Sequence, residues 1–368
     1  MRFWKPRSNP MKKGLTYPAQ RCVLQYLEAN RRLLLSARCP SIKAIDKKIP
    51  FQIRYLAFED NTIHLNAISY KFQSVLSRMQ EAFARNLFYV EYVKMSFAWE
   101  RSGIPIRGSR RLPANCRHVD IAFENFIGIL LEGRFQAQIR TLDFYKGYEQ
   151  FLRIPENLKF HTQNINIYRF DAEEAEKIMD EKCLPLKSVR VQKWEPYYSR
   201  VALISKAEKL ALVSPPHNRS QRFWHPILLS ATNKIVELRY LELSGTRIRE
   251  IVRKLKENGK EIGSYYILEC SGRMFLNRLL EKIKQRFDGK EVTMNEETGT
   301  TKIVSRIISV PLNPESELVV YGYTDYEENK SHLSSKNKVR IHLKVLAVGS
   351  TTQVEKKKKK RIRIPCIF

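Results

Sequence analysis

The sequence has little of what builds an active site or a stapled fold. Its six cysteines (Cys22, Cys39, Cys116, Cys183, Cys270 and Cys366) are scattered, with no CxxC pair, whereas a disulfide framework or a zinc site shows tighter spacing. Only Cys116 with His118, and His217 with His225, bring metal-binding types close together. Neither pair has the further ligands that zinc needs, so no metal and no cofactor are expected. Glycine-rich phosphate loops are absent: Gly259, Gly263, Gly272 and Gly289 stand alone, as helix stops or turns do. No serine sits in a nucleophile elbow or triad context. The acid pair Glu173-Glu174 falls at a helix start, where it complements the dipole. These absences point away from an enzyme. Long apolar runs are missing too. The stretch Ile127-Gly128-Ile129-Leu130-Leu131 suits a buried strand or helix turn and falls far short of the roughly 18 residues of a membrane span. The basic start of the chain has no apolar segment behind it, unlike a signal peptide. A cytoplasmic or nuclear protein is expected, and the glycosylation sequons at Asn218 and Asn329 are then chance matches. The terminal Pro365-Cys366-Ile367-Phe368 places its cysteine third from the end, which does not fit prenylation.

Acidic residues are also in short supply. Lys and Arg total 66 against 38 Asp and Glu, a formal charge of +28. Five of those cations lie in residues 1–13 and seven more are Lys356, Lys357, Lys358, Lys359, Lys360, Arg361 and Arg363, so most of the excess remains on the body. A field of that sign attracts nucleic acid, acidic membrane or acidic protein without choosing among them. Apolar residues, at 43% of 368, are ample for a core and exclude general disorder.

Along the chain, residues 15–45 read as a helical hairpin. Pro18 suits a first turn, Val23, Leu24 and Leu27 share a face, and Asn30 is placed to cap a second helix with Leu33, Leu34 and Leu35 that Pro40 stops. Alternation over 53–58 and 62–66 around an Asp-Asn turn predicts a β-hairpin. Val75, Met79, Phe83 and Leu87, four apart, predict a helix over 73–88, and a strand runs from Val90 to Phe97. Strands are then predicted at 118–123, 139–144, 165–168 and 188–191, with central residues 21, 25 and 22 apart, and at 238–243 about two such periods on. Asp171 and Glu174 stand at capping-box spacing for a helix over 171–183. One strand and one helix per twenty-odd residues is the rhythm of a leucine-rich-repeat-like solenoid, although the consensus leucine and asparagine ladder is missing. An ordinary layered α/β domain is the alternative. Farther on, Thr246 is placed to cap a helix over 246–258 whose stripe is Ile248, Ile251, Val252 and Leu255 and whose stop is Gly259. A second helix spans about 272–288, followed by three strands, 303–310, 318–323 and 339–348, as an antiparallel meander.

The fold class expected is therefore α/β: a short helical module, an irregular leucine-rich-repeat-like α/β solenoid, then an α+β meander. The segments are a basic extension at 1–14, the helical module at 15–48, the repeat-like domain at 49–245, the helix and meander region at 246–352, and a basic, disordered tail at 353–368.

The stretch LTYPAQRCVLQYLEANRRLLLSARCPSI (15–42) resembles a divergent F-box: a leading Leu with a nearby Pro, then V-L-x-Y-L, a Leu-rich helix, and R-C. With RCPSI (38–42), IPFQIRYLAFED (49–60), PESELVVYG (314–322) and VLAVGST (345–351), the chain is similar to a nematode-expanded family of uncharacterised F-box-associated proteins. Pro18 is displaced from the place right after the leading Leu, and Pro40-Ser41-Ile42 stands where an F-box usually has an aromatic. The resemblance implies a protein partner, an Skp-type adaptor of a cullin ubiquitin ligase. It would be contacted by Leu15, Pro18, Val23, Leu24, Leu27, Leu34 and Leu35, with a substrate protein held elsewhere. On the bland reading those residues are simply core.

The rival is a nucleic-acid-binding protein, which charge alone supports. The tail KKKKKRIR has the composition of a nuclear-localisation or polyanion-binding run. Arg107 to Arg111, and Arg247, Arg249, Arg253, Lys254 and Lys256, could contact phosphate; for the second group the solvated face of an amphipathic helix is the simpler account. No aromatic RNA-binding signature or DNA-reading motif accompanies them.

Overall fold

The structure, a computed structural model, describes residues 15–79, 88–101, 104–112, 118–134, 137–145, 154, 158–168, 170–192, 196–213, 228, 230–270, 273–294, 305–324 and 339–353. They form a mixed α/β fold, and the chain divides into two units, Met1–Cys183 and Leu184–Phe368. The predicted basic extension at 1–14 and the tail from 354 onward lie outside the described residues.

The amino-terminal unit begins with three short helices, α1 (Tyr17–Tyr26), α2 (Ala29–Arg38) and α3 (Pro40–Asp46). Proline opens α1 and α3, where its missing N–H costs nothing. Glu28, not Asn30, caps α2: its carboxylate accepts from Asn30 N at 2.8 Å and Arg31 N at 3.4 Å. Then come β1 (Phe51–Glu59), β2 (Thr62–Leu65), β3 (Ile68–Met79), β4 (Phe88–Arg101), β5 (Ile104–Arg111), α4 (Val119–Leu131), β6 (Ala137–Tyr145), β7 (His161–Tyr168) and α5 (Ala172–Lys177). The strand order is β7-β6-β1-β2-β3-β4-β5, with β7, β6 and β1 parallel and the rest antiparallel. The predicted hairpin is present as β1 and β2, turning at Asp60 with φ 45°.

Two expectations fail here. The predicted helix over 73–88 is strand β3 as far as Met79, paired with β4 from Ile68↔Trp99 to Met79↔Phe88. A spacing of four is also a multiple of two, so Val75 and Met79 share one strand face as readily as one helix face. Phe83 and Leu87 lie outside the described residues. The predicted strand at 118–123 is instead the first part of α4. Its buried residues Phe123, Ile127, Leu130 and Leu131 keep helical spacing over a run too long for the brief alternation at its start to outweigh.

β1 and β6 carry the same motif. Gln52-Ile53-Arg54-Tyr55-Leu56-Ala57-Phe58 and Gln138-Ile139-Arg140-Thr141-Leu142-Asp143-Phe144 agree at five of seven positions. The parallel register sets Gln52 on Gln138, Ile53 on Ile139, Leu56 on Leu142 and Phe58 on Phe144. Phe58 and Phe144 stack at 5.7 Å, and Phe72 of β3 meets Phe123 of α4 edge-on at 5.8 Å, which centres this core under α4.

The carboxy-terminal unit runs β8 (Ser188–Val191), α6 (Ala202–Ser205), β9 (Lys209–Val213), β10 (Ile235–Glu242), α7 (Gly245–Asn258), β11 (Tyr265–Cys270), α8 (Arg273–Arg286), β12 (Lys290–Thr293), β13 (Ile307–Pro311), β14 (Ser316–Thr324), β15 (Val339–Ala347) and β16 (Thr352–Gln353). Strands β8, β9, β10 and β11 pair in parallel and in chain order. The antiparallel β15, β14, β13, β12 and β16 follow from the β11 edge, as the predicted meander requires. β9 fills the double interval between 189 and 241, since Val189 registers on Leu210 and Leu210 on Val236. α7 matches its predicted range and stripe, but Ser244 rather than Thr246 caps it, accepting from Arg247 N at 3.5 Å. Gly259, with φ 66°, ends it where a side chain would be strained.

Candidate functional site

The three-helix module is tied to the sheet of its own unit through a buried carboxylate. Asp46, at the end of α3, is fully buried and accepts from Arg32 Nε at 2.6 Å, Ser36 Oγ at 2.9 Å and Arg134 Nη1 at 2.8 Å. Arg32 spends its other donors on the carbonyls of Pro50 (2.8 Å), Asp46 (3.2 Å) and Ile49 (3.3 Å), and Arg134 donates to Leu130 O at 2.7 Å. Both guanidinium groups also lie over the Phe51 ring, at 5.0 and 3.9 Å. Burial raises the Asp46 carboxyl, but the Arg134 charge and the hydrogen bonds from Arg134 and Arg32 outweigh it and hold the group below its ordinary value. A second tie joins the α1–α2 junction to the β2–β3 turn. Asn30 Nδ2 donates to Leu65 O at 3.0 Å, Tyr70 Oη donates to Asn30 Oδ1 at 2.8 Å, and Asn66 Nδ2 donates to Glu28 Oε1. Asn30, whose Nδ2 also donates to the capping Glu28 at 2.9 Å, thus joins the helix end to the sheet.

With the inner face so fixed, most of the predicted contact residues point outward. Leu15 is 61% exposed, Leu34 51%, Val23 47% and Leu35 37%, and Pro18 is exposed as well. Leu24, at 3%, is core, and Leu27 is half-buried. Tyr17 and Tyr26 join the exposed set. Six of the ten large apolar side chains exposed among the described residues fall within 15–35, a concentration that scattered surface hydrophobics do not produce. Helical periodicity orders them: Ala19, Cys22, Val23 and Tyr26 form one stripe of α1, and Arg31, Leu34, Leu35 and Arg38 one stripe of α2. The polybasic residues Lys356, Lys357, Lys358, Lys359, Lys360, Arg361 and Arg363 lie outside the described residues, as do Cys116, His217 and His225.

Three other polar groupings escaped sequence reasoning because each draws in at least one member from far along the chain. Cys183 Sγ lies 3.1 Å from His161 Nδ1, and Asp180 Oδ2 is 3.7 Å from that same nitrogen. A catalytic relay uses opposite ring nitrogens, and burial pushes this thiol up rather than activating it. A cavity of about 660 Å³ beside them is lined by Gly128, Arg134, Ile139, Lys159, His161 and Asp180, among others. On β6, Asp143 accepts from Tyr55 Oη at 3.1 Å, Tyr145 Oη at 3.2 Å and Asn166 Nδ2 at 2.5 Å. Burial and the Asp143 charge raise the Tyr55 hydroxyl to about 12. In the carboxy-terminal unit, buried Glu237 meets Lys209 Nζ and Arg239 Nε, each at 2.7 Å. Burial opposes its ionisation, but hydrogen bonds from Arg239 and Lys209 prevail and hold it near 2. Among the described residues no group of three or more His, Cys, Asp or Glu could hold a metal ion, and no helix is long and apolar enough to cross a membrane.

Residues 118–272 match a protein-family model described as a domain of unknown function, DUF3557. The match covers α4 to β11 and leaves the three-helix module outside it. No curated protein and no solved structure matches the chain.

Proposed function

We propose that this chain is a non-enzymatic protein-binding subunit, resident in cytoplasm or nucleus, whose three-helix module docks on an Skp-type adaptor of a cullin ubiquitin ligase. One observation carries the reading. Leu15, Val23, Leu34 and Leu35 are held out in water on a module whose other face is locked by Arg32, Asp46 and Arg134. A rigid base presenting apolar anchors loses little further freedom on binding, which is what a docking surface needs. Arg31 and Arg38 flank Leu34 and Leu35 on α2 and suit an acidic rim on the partner. The resemblance of 15–42 to an F-box supplies the partner's identity.

The substrate protein, on this reading, is held by the parallel strands that follow, as an irregular leucine-rich-repeat-like solenoid. Pairing of β8, β9, β10 and β11 in strict chain order supports that architecture over a doubly wound sheet, whose order reverses. The test is co-expression of the full chain with an Skp-type adaptor, followed by co-purification. Leu34→Ala with Leu35→Ala should abolish capture while the chain stays folded. A folded wild-type chain that captures no adaptor would sink the proposal.

A further inference from the structure

The helix α8 differs from its neighbour α7 in where its charges close. α8 carries five cations and one acid, Glu281. Leu276, Leu279, Leu280 and Ile283 are buried, while Asn277, Arg278, Lys282, Gln285 and Arg286 are exposed. Arg278, Lys282 and Arg286 follow at intervals of four and so line one exposed stripe, with about 6 Å of helix rise between successive cations. Glu281 does not quench it: its carboxylate lies 3.5 Å from Arg306 Nη1, a largely exposed cation brought in from beside β13. On α7 two of the cations are paired within the helix. Arg253 lies 3.1 Å from Glu257 and 3.9 Å from Glu250, and Lys254 lies 3.5 Å from Glu257, so those charges close within the helix. Two of the five predicted phosphate-binding cations of α7, Arg253 and Lys254, are thus paired with its own acids.

We infer that the Arg278–Lys282–Arg286 stripe is a docking surface for the phosphate backbone of a nucleic-acid duplex, bound without regard to sequence. A regular row of cations suits a regular row of anions. The other polyanions fit less well. A helix that beds into a membrane surface presents Trp, Phe or Leu beside its cations, and the exposed positions of α8 among the side chains described are Asn, Arg, Lys, Gln and Arg. Single-stranded nucleic acid needs aromatic platforms for its bases, and none stands among those five positions. This surface is independent of the α1–α3 module and stands or falls apart from the adaptor reading.

The experiment is fluorescence anisotropy of a labelled duplex of arbitrary sequence titrated with the full chain, repeated across salt concentrations. Two full-length variants accompany it: Arg278→Gln, Lys282→Gln, Arg286→Gln together, and Lys356 to Lys360 all changed to Gln. Each phosphate neutralised contributes about 0.9 to the logarithmic salt slope, so three contacts weaken binding about 40-fold between 50 and 200 mM salt. The helix variant should lose that share of the salt dependence, with an unchanged circular dichroism spectrum. A charge-conserving variant, Arg278→Lys with Arg286→Lys, should keep it. The inference is overturned by any of three results: no duplex binding by the full chain at low salt, all salt dependence following the tail variant, or a helix variant that loses adhesion to phosphatidylserine vesicles while holding the duplex.

Discussion

Replacing Asp46 with asparagine keeps the shape of the side chain and removes the carboxylate that two buried guanidinium groups share. Arg32 at 2.6 Å and Arg134 at 2.8 Å would face each other across a neutral amide, with side-chain exposures of only 2% and 3%. Their other hydrogen bonds go to carbonyls, which carry no countercharge. Removing one partner of a buried ion pair costs about 3–5 kcal/mol, a large part of the roughly 5–15 kcal/mol that holds a typical domain together. For a unit of this size, 1 kcal/mol moves the midpoint by about 2–4 °C, so Tm should fall by on the order of 10 °C. Circular dichroism of the full chain during thermal and urea unfolding at pH 7 reads the change, and the double variant Asp46→Asn, Arg134→Met should recover part of it. The pH dependence has a definite sign. The carboxyl titrates lower when folded than when unfolded, so its contribution is fully present above the unfolded value, near 4, and is lost as pH falls through the folded one. The gap between wild type and variant should therefore close only below about pH 4. A loss under about 1 kcal/mol at pH 7, or a gap that closes at neutral pH, would refute the reasoning.

Leu24→Ala, at a buried site, should destabilise the chain by about 2–5 kcal/mol, whereas Leu34→Ala with Leu35→Ala should cost less than about 1 kcal/mol; equal losses in urea titrations would mean that both helices face inward. His342, buried between Tyr265 and Tyr321, has its imidazole lowered to about 4, by burial first and the Arg340 charge second, against a smaller opposing pull from Glu237. The unfolded chain then takes up the proton first, so stability is complete above about pH 6.5 and falls by about 3 kcal/mol toward pH 4. His342→Phe should flatten that window, and an unchanged pH profile would count against it. Gly322→Ala places a Cβ 1.9 Å from Leu276 Cδ2, against the inner face of α8, and should cost about 1–3 kcal/mol by overpacking. A neutral result in thermal denaturation would show that Leu276 has room to turn.

Helices with a cap, a stripe and a glycine stop were legible in the sequence, α7 above all, because each signal is local. The β1–β2 hairpin and the carboxy-terminal meander were legible for the same reason. β3 was misread because its apolar residues are four apart, a spacing that serves either period, and its pairing with β4 settles the matter from outside the segment. The start of α4 was misread because five alternating residues looked self-sufficient, while the deciding helical contacts lie later, at Ile127 and Leu130. β9 was implied by the doubled interval but carries too short a pattern to stand out. At the candidate site, the sequence grouped Leu15, Val23, Leu34 and Leu35, which are exposed, with Leu24, which is buried, since the hairpin's pattern does not say which face meets the sheet. The Arg32–Asp46–Arg134 tie had no sequence signal: its members are 14 and 88 residues apart and look like ordinary surface charges.

The duplicated motif of β1 and β6 raises a question of identity. Two neighbouring parallel strands offer the core the same Ile, Leu and Phe at the same depth, so apolar packing cannot tell one from the other. A chain still folding, or a second copy nearby, could lay either strand in either place without opening a cavity at those positions. What breaks the tie is the pair of differing residues between them. Asp143 takes the Tyr55 hydroxyl from β1, the Tyr145 hydroxyl from its own strand and the Asn166 amide from β7, and Ala57, at the matching place in β1, offers nothing to any of them. An exchanged arrangement would strand three polar groups, a discouragement that shape alone does not supply. The sheet thus appears in its own sequence as one strand written twice, with a single carboxylate as the mark by which the copies are kept apart.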